Sequence, residues 1–421
     1  MPEITEHTDD IFRELYMAIM PTSVRHSMLA RNVITDGLRY VPVNRKDHVR
    51  ILDTAAGSGT FPQQVIIMKR EIYKDEPKDS ALDYILKEVV SIDANILAVI
   101  LARINYFMAI SDLVDSQKAL YIPAFIGDST VPTSDKISED GEYFVSHLQD
   151  SNGKEIEFRV PINSVSDTEQ FIETFQFLED ISEGAALDDI REALTKICTD
   201  SEQLEEMTQS WYSLQSNDLI TPSIVSNIIT YFLLCSLGKF DMLVGNPPWV
   251  DWKSLPSVHR EKIKEACVSK NLFSGDGRTG GINLNICALL TTISIENWLH
   301  KDGVATVLMP QNLLFQQSYE GFRNLKISDN RTLYIQEIVD WEKSGHPFKP
   351  VQQLFCTYIL SERQQDYFEG IPSKCIKIKK GIKLTNSSLN INSENFSDYF
   401  DVENKILGQT TPQRTAFTYA M

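Results

Sequence analysis

The segment over residues 49–61 constrains the fold of this chain more than any other. Its compact apolar run, VRILDTA, passes directly into Gly57-Ser58-Gly59, and a helix is predicted from Pro62 because proline is tolerated in the first turn of a helix. A buried strand that enters a helix through a glycine turn is typical of α/β folds, in which the turn brings backbone N–H groups close to a ligand. A tight turn of purely structural role is the alternative interpretation.

The same alternation of strand and helix continues along the chain. Helices are predicted from residue 11 up to Pro21, with a second short helix from Thr22, and over residues 62–69, 96–109 and 283–299. Strands alternating with helices indicate an α/β fold, a Rossmann-like, doubly wound, mainly parallel sheet of seven strands. The charged residues 69–87 are predicted to form a surface insertion. Strand-like apolar runs occupy residues 49–55, 89–93, 121–127, 241–245, 303–309, 334–339 and 354–360.

The third and fourth predicted strands are separated by about 110 residues, too many for a simple connection. Residues 155–162 are predicted to form a hairpin strand and residues 168–206 acidic helices. Thirteen acids and two bases lie over residues 167–206, about −11 of the net charge of −18. We therefore expect an acidic inserted subdomain. The rest of the chain is only mildly acidic. The distribution of charge bears on nucleic-acid binding, because Lys and Arg supply most of the non-specific affinity for a polyanion.

Cysteine spacing and hydropathy limit the class of protein. The six cysteines stand far apart, without a C-x-x-C pair or a Cys/His cluster, so we expect reduced thiols and no metal. The first ten residues lack the basic region of a signal peptide. The apolar stretches at residues 224–237 and 282–299 are interrupted by polar residues, so buried helices are expected rather than membrane spans. These features predict a cytoplasmic protein without a membrane partner.

Acidic residues follow three successive predicted strands. Asp53, Asp93 and Asp128 each stand where an apolar run ends. A single acid in such a place is often a helix cap, but three in successive strands indicate one polar ligand in the crevice at the sheet edge. Asp93 has the position from which a carboxylate accepts hydrogen bonds from a ribose diol.

The most specific element of the sequence is Asn246-Pro247-Pro248-Trp249, at the end of the fourth strand. This combination of residues suits the methylation of an aromatic amine such as the exocyclic amine of adenine. That amine is a poor nucleophile because its lone pair is delocalised into the ring. A carboxamide oxygen of Asn246 and the carbonyl of Pro247 can accept both amine hydrogens and favour a pyramidal nitrogen, while the prolines keep that carbonyl rigid. Trp249 is suited to stack on a base that has left its helix. A rigid turn with Trp249 as a core anchor is the structural alternative.

These motifs resemble those of the class I S-adenosylmethionine-dependent N6-adenine DNA methyltransferases, specifically the modification modules of type IIG restriction–modification enzymes. Residues 53–61 resemble the motif D-P-x-C-G-S-G-x-F but depart from it at Thr54 and Ala56. Residues 91–105 resemble the second motif and residues 245–249 the G-N-P-P-[YFW] motif. Residues 15–30 are similar to the helix ahead of the Y-T-P element, of which Thr35 remains, and residues 281–284 and 304–315 resemble later motifs.

The resemblance implies S-adenosylmethionine as cofactor and a role for each matching residue. Asn246, Pro247, Pro248 and Trp249 are expected to be catalytic, with Trp249 and Phe315 in the target-base pocket. The methionine end of the cofactor is expected at the glycine turn, its ribose at Asp93 and its adenine at Asp128. The full expected cofactor set is Thr35, Asp53, Ala55, Gly57, Gly59, Phe61, Asp93, Ala94, Asp128, Ser129 and Asn246.

The resemblance also divides the chain into parts. We expect an N-terminal helical segment (1–48), a cofactor-binding half (49–134), the acidic insertion (135–222), a catalytic half (223–362) and a C-terminal extension (363–421). Type IIG enzymes also carry a nuclease and a large recognition domain, so DNA recognition is expected to belong to a recognition subunit or to a missing C-terminal domain that begins with the extension. Lysines over residues 373–383 form a basic stripe, either a phosphate contact or a solvated strand face.

Three functions are consistent with these motifs. The first is DNA adenine N6-methylation with a flipped adenine as substrate, in a restriction–modification or phage-defence system. The second is methylation of RNA or of a protein glutamine, whose amide nitrogen is deactivated in the same way. The third is a non-catalytic cofactor-binding subunit, which the departures at Thr54, Ala56, Asp36 and Asn283 keep open.

Overall fold

A single ten-stranded sheet forms the centre of the computed structural model. The structure describes residues 27–46, 48–115, 120–130, 137–149, 155–254, 257–272, 285–316, 319–344, 353–366, 370–382, 395–411 and 414–419. Its strands are β1 (Ile51–Asp53), β2 (Val89–Asp93), β3 (Ala124–Ile126), β4 (Tyr143–Gln149), β5 (Glu155–Pro161), β6 (Phe240–Gly245), β7 (Leu299–Pro310), β8 (Lys326–Ser328), β9 (Arg331–Thr332), β10 (Tyr334–Asp340), β11 (Phe355–Ser361), β12 (Ile371–Ile378), β13 (Phe400–Thr411) and β14 (Arg414–Tyr419).

The strands of the main sheet lie in the order β14-β13-β12-β10-β11-β7-β6-β1-β2-β3. The four neighbouring pairs from β7 to β3 are all parallel, whereas β11 runs antiparallel to both β7 and β10. The chain therefore forms the predicted doubly wound, mainly parallel α/β sheet. Beyond the seven predicted strands, β12, β13 and β14 extend the sheet past β10. The pairs β4–β5 and β8–β9 form separate two-stranded sheets.

Helices cover both faces of the sheet. One buried cluster joins α1, α2, α3 and α4 to Met242 and Val339, and the other joins α8, α10 and the inserted elements to Leu243 and Val307. The helices are α1 (described over 27–38), α2 (Thr60–Ile72), α3 (Lys78–Glu88), α4 (Ile96–Ile110), α5 (Thr168–Asp180), α6 (Leu187–Leu194), α7 (Ser201–Ser216), α8 (Pro222–Leu237), α9 (Ser257–Ser269), α10 (Ile286–Trp298), α11 (Asn312–Phe315), α12 (Glu320–Arg323) and α13 (Phe396–Tyr399), with 3-10 helices at Val43–Arg45, Ile162–Val165 and Trp252–Ser254.

The elements between β3 and α8 are the hairpin β4–β5 and the helices α5, α6 and α7. Phe158 of the hairpin contacts Phe175 of α5 and Trp211 of α7, and all three rings are fully buried. Phe158 also contacts Phe232 of α8. The acidic helices are thus packed by aromatic side chains onto the helix that precedes β6.

The structure differs from the sequence prediction over residues 69–87, where a surface insertion was expected. Helix α3 occupies most of this stretch and buries Ala81 and Ile85. Lys69 and Glu88, at the two ends of the stretch, are buried and form an ion pair with each other, whereas most of the charged residues between them are exposed. An amphipathic helix with few apolar residues is hard to distinguish from a charged loop by composition.

The helix predicted up to Pro21 lies outside the described residues. Of the second short helix predicted from Thr22, residues 27–30 are described and belong to α1, and residues 281–284 lie outside the described residues as well. The Asn- and Ser-rich residues 385–394 lie outside as well. In the described part of the chain, no helix combines the length and the apolar character that a membrane crossing requires.

Two lysines of the basic stripe, Lys374 and Lys377, lie on β12 and form ion pairs with acids. Lys374 forms ion pairs with Asp36 of α1 at 2.9 Å and with Glu337 of β10 at 3.4 Å. Lys377 forms an ion pair with Glu403 of β13. These contacts connect β12 to α1, β10 and β13, so both lysines help to hold β12 in its place in the sheet.

Candidate functional site

The turn between β1 and α2 requires its two glycines. Gly57 has a φ of 55° and Gly59 a φ of 81°, both in the left-handed region that side chains disfavour. A Cβ on Gly59 would also lie 2.9 Å from the Cα of Ala102 in α4. The turn is therefore tightly packed on one side and open at Gly57, where a Cβ would meet nothing within 4 Å.

Asp93 at the end of β2 positions this turn. One carboxylate oxygen accepts a hydrogen bond from the Gly57 N–H at 2.8 Å, and the other accepts one from the Asn95 N–H at 2.9 Å. The Ala56 N–H donates to the carbonyl of Ile92 at 3.0 Å. Because a carboxylate has about four acceptor positions, Asp93 retains capacity for a ligand hydroxyl while it orients the turn.

The end of β3 joins the same edge. The Ser129 hydroxyl donates to the carbonyl of Thr54 at 2.7 Å. Asp128 is exposed, and its carboxylate accepts from the N–H and the hydroxyl of Thr130. Its own N–H donates to the side-chain oxygen of Asn227 in α8 at 2.7 Å, a partner that sequence reasoning missed.

Asp53 ends β1 and is fully buried. One oxygen accepts from the Ala55 N–H at 3.1 Å, while the other has no hydrogen-bond partner among the described residues. The pKa of Asp53 is raised to about 8, chiefly by burial; the Ala55 hydrogen bond acts to lower it and the charge of Asp93 to raise it. A Cβ on Gly245, the last residue of β6, would lie 2.7 Å from the Asp53 carboxylate, so only glycine allows the acid to lie beside that strand.

The Asn246 to Trp249 element leaves β6 beside Asp53. The Asn246 side-chain oxygen is buried and has no hydrogen-bond partner in the part of the chain that the structure describes. Pro247 is buried and Pro248 is exposed. A buried acceptor without a partner costs about 1–3 kcal/mol, so its presence calls for an explanation beyond folding.

Trp249 is held on two sides. Its indole Nε1 donates to the carbonyl of Leu308 in β7 at 3.1 Å, and its ring lies 5.3 Å from the ring of Phe355, centroid to centroid. Phe355 begins β11 and pairs with Pro310 of β7. Trp249 is half-buried. It is therefore anchored, as expected for a rigid structural turn, and it also keeps part of its surface accessible.

Two residues near this edge were missed by sequence reasoning. Phe355 carries no local signal and reaches Trp249 only because β11 pairs with β7. Asn312, in the first turn of α11 after β7, has a buried side-chain oxygen without a partner among the described residues, like Asn246. The sequence did offer one signal for Asn312. It follows Met309-Pro310-Gln311 within residues 304–315, which resemble a later motif of the methyltransferases.

The other expected site residues are distributed as follows. Ala55 lies in the glycine turn, Phe61 is buried in α2, and Ala94 is exposed before α4. Phe315 ends α11 and packs half-buried against the core. Thr35 is exposed on α1, where its hydroxyl donates to the carbonyl of Arg31 at 2.8 Å within the same helix.

The departure at Thr54 from the usual proline has a structural reason. Thr54 is buried, and its hydroxyl accepts a hydrogen bond from the Ser294 hydroxyl of α10 at 2.9 Å. This bond connects the glycine turn to α10, the helix that precedes β7. Over the described residues, no group of three or more His, Cys, Asp or Glu side chains is placed to hold a metal ion.

The strand order β3-β2-β1-β6-β7-β11-β10, with β11 antiparallel and a glycine turn after β1, defines a class I methyltransferase fold. The family model of the Eco57I restriction-modification methylases matches residues 87–348. The chain belongs to this family. No curated protein sequence matches it.

Solved structures of restriction–modification enzymes are similar to the chain at low identity. A nuclease-deletion mutant of the type ISP enzyme LlaGI in complex with a DNA substrate mimic has a TM-score of 0.47 and 13% identity, over 97% of this chain and 28% of that one. The type IIG endonuclease BpuSI has a TM-score of 0.42 and 12% identity, over 91% and 30%. The methyltransferase subunit of a type I system from Streptococcus thermophilus has a TM-score of 0.37 and 12% identity, over 90% and 53%. The chain thus spans about a quarter to a half of these proteins.

Proposed function

We propose that this chain is a DNA adenine N6-methyltransferase that uses S-adenosylmethionine and works in the cytoplasm as part of a restriction–modification or phage-defence system. The observation that carries the proposal is the buried, unpaired side-chain oxygen of Asn246 at the end of β6. Membership of a restriction-modification methylase family supports DNA as the substrate. The fold and the neighbouring acids support a cofactor site beside Asn246.

Asn246 and Pro247 act on the target amine through hydrogen bonding. The side-chain oxygen of Asn246 accepts one amine hydrogen and the carbonyl of Pro247 accepts the other. Both acceptors favour a pyramidal nitrogen whose lone pair is available for attack, and the two prolines limit movement of the Pro247 carbonyl. The desolvation cost already carried by the unpaired Asn246 oxygen is relieved when the base arrives, so binding and activation are coupled.

The residues at the ends of β1 and β2 fit S-adenosylmethionine. Buried Asp53 has one oxygen without a partner among the described residues, and a positive charge placed beside it would favour its carboxylate form, while Asp93 retains acceptor capacity beside the open Gly57. Asp53 and the turn at Gly57 would hold the methionine end, Asp93 the ribose, and Asp128 with Ser129 the adenine. When bound, the cofactor supplies an electrophilic methyl group on a sulfonium.

Trp249 and Phe355 form an aromatic pair for the target base. The hydrogen bond from Trp249 to Leu308 fixes the plane of the indole, so a base that enters the site meets a preformed stacking surface. A base inside a duplex cannot reach this edge, so the adenine must be extruded first. Stacking worth about 1–3 kcal/mol per base offsets part of that cost.

DNA recognition is proposed to depend on a further subunit or domain. The net charge of −18 opposes binding to a polyanion, and the acids over residues 167–206 account for more than half of it. Lys374 and Lys377, which are possible phosphate contacts by sequence, form ion pairs with acids of this chain, Lys374 with Asp36 and Glu337 and Lys377 with Glu403. Phosphate contacts from a partner would supply the missing affinity.

The substrate class is tested by incubating the full chain with S-adenosylmethionine labelled in the methyl group and with DNA, RNA or a lysate protein fraction in parallel. We expect label in DNA, its loss in Asn246→Ala, and its retention in Asn404→Ala, which makes the same substitution on exposed strand β13. Label confined to RNA or protein would contradict the DNA assignment. Cofactor binding without transfer to any of the three would contradict catalysis.

A further inference from the structure

Helix α4 carries a continuous apolar stripe on its outer face. Between 45% and 66% of each residue in the stripe is exposed, which is unusual for six large apolar residues on one helix of fifteen. The residues of the stripe are Ile96, Leu97, Ile100, Ile104, Phe107 and Met108.

The stripe is additional to the face that attaches α4 to the protein. Val99, Ala102, Tyr106 and Ile110 are buried, and Tyr106 donates a hydrogen bond to the carbonyls of Ile85 and Val89. The inner face therefore already provides the packing that an amphipathic surface helix needs. A helix that is apolar on both faces is typical of one that is buried on both.

The charge around the stripe excludes a polar or charged ligand. Arg103 is the only charged residue of α4, and its guanidinium donates to the carbonyl of Ala124 at 2.9 Å and to the hydroxyl of Tyr121 at 3.1 Å. With no free cation on the helix and a net charge of −18, the stripe does not fit nucleic acid or an anionic membrane surface. The surface fits an apolar helix.

The spacing of the stripe is that of a helix-pairing seam. Leu97, Ile100, Ile104 and Phe107 recur at intervals of three, four and three residues, the a and d pattern of two heptads, with Ile96 and Met108 on either side. Six half-exposed side chains of this size present roughly 600 Å², close to the ~800 Å² that each partner contributes to a standard interface. A self-complementary seam of this kind meets its own copy around a two-fold axis without further surface.

We propose that the outer face of α4 is a dimer interface, at which the α4 helices of two copies of this chain pack antiparallel. Helix packing rather than strand addition is expected, although α4 lies beside β3, the strand at the end of the sheet. The β3 carbonyls of Ala124 and Ile126 already accept hydrogen bonds from Arg103 and from the Thr230 hydroxyl. This interface is independent of methyl transfer and of the target of the enzyme.

The test uses the full chain and two variants that place opposite charges in the seam. In an antiparallel pair, position 100 of one copy lies next to position 104 of the other. Ile100→Glu and Ile104→Lys are each expected to weaken self-association at least tenfold, because each buries unpaired charges against isoleucine. Mixing the two variants is expected to restore a dimer through one Glu–Lys pair. Sedimentation velocity over a concentration series measures both effects.

Val43→Glu is the matched control, since Val43 is 80% exposed outside α4 and its substitution is expected to leave the dimer unchanged. Thermal unfolding checks that each variant is folded. A wild-type chain that stays monomeric at high micromolar concentration would overturn the proposal and leave the stripe to a different protein. A dimer that both charged variants retain would overturn it equally, because the interface would then lie elsewhere.

Discussion

The backbone N–H of Gly57 donates a hydrogen bond to the carboxylate of Asp93 at 2.8 Å, so the acid at the end of β2 positions the turn at the end of β1. The two residues are 36 positions apart, with α2 and α3 between them. Asp93 also accepts from the N–H of Asn95 at the start of α4. One side chain therefore connects the turn, its own strand end and the following helix.

Asp93→Ala is expected to weaken cofactor binding by about 100-fold, more than the loss of one ligand contact of ~1.5 kcal/mol would explain, because the Gly57 turn also loses its support. Asp93→Asn retains one carboxamide acceptor and is expected to show a smaller loss. Calorimetric titration with S-adenosylhomocysteine measures both. Asp329→Ala, at an exposed turn, is the control and is expected to bind normally. Equal effects of Asp93→Ala and Asp93→Asn would contradict the support role.

The raised pKa of Asp53 predicts that cofactor affinity depends on pH. At a pKa of about 8, the acid is largely protonated at neutral pH, and a sulfonium favours its carboxylate form. The dissociation constant for S-adenosylmethionine is expected to fall by up to ~10-fold per pH unit between pH 6 and 8 and to level off above. Asp53→Asn is expected to flatten the profile. An unchanged slope in that variant would assign the dependence to another group.

The same acid predicts a pH dependence of stability without cofactor. Its folded pKa, about 8, lies above the unfolded value of ~3.9, so its stabilising contribution is complete at low pH and is lost as the pH rises through 8. The free energy of unfolding of the wild type, relative to that of Asp53→Asn, is expected to fall by up to ~1.4 kcal/mol per pH unit from pH 5 to 8. Urea unfolding at several pH values measures this difference. A difference that stays constant or increases would show that the pKa is not raised.

Alanine substitutions at Gly59 and Gly184 distinguish the stability cost of backbone strain from that of a steric collision. Both have a positive φ, but a Cβ on Gly59 would meet the Ala102 backbone at 2.9 Å whereas one on Gly184 meets nothing within 4 Å. Gly184→Ala is expected to cost ~1–2 kcal/mol of stability and to leave cofactor affinity unchanged. Gly59→Ala is expected to cost ~2–4 kcal/mol and to lower that affinity, because the turn must move. Equal stability losses would mean that α4 yields to the extra methyl group.

The fold was largely predictable because its signals are local. Buried parallel strands are short apolar runs, and the β2 prediction matches residues 89–93 of the structure. The acidic helices were predictable from apolar residues at helical spacing, such as Phe171 and Phe175. Helix α3 was not, because it buries only Ala81, Ile85 and the ion-paired Glu88, and most of the charged residues around them are exposed. Strand β13 was not predictable either, because its side chains over residues 401–406 are nearly all exposed, polar and apolar alike, so no alternation of buried and exposed residues marks it.

The positions of candidate site residues that stand at the end of a strand were predictable from the sequence. The positions of residues that reach the site through pairing between distant strands were not. Asp53, Asp93 and Asn246 stand at strand ends, so the order of strands brings them to one edge. Phe355 reaches Trp249 through the antiparallel pairing of β11 with β7, which no local pattern reveals.

The anchoring of Trp249 predicts a separation of transfer rate from cofactor binding. Trp249→Phe keeps an aromatic ring but loses the hydrogen bond to Leu308, so the ring is free to tilt. Methyl transfer is expected to slow by ~10-fold or more, about 1.4 kcal/mol, with unchanged affinity for S-adenosylmethionine. Trp341→Phe, which loses a buried hydrogen bond to Thr357, is the control and is expected to lower only stability. A loss of cofactor affinity in Trp249→Phe would place the indole in the cofactor site.

Asn246 is proposed to activate the exocyclic amine of adenine. The most direct measurement is mass spectrometry of nucleosides from unmethylated DNA incubated with S-adenosylmethionine and either the wild-type chain or Asn246→Ala. We predict N6-methyladenine with the wild type and none with the variant, although both bind the cofactor. N4-methylcytosine in place of N6-methyladenine, or N6-methyladenine formed equally by Asn246→Ala, would contradict the claim.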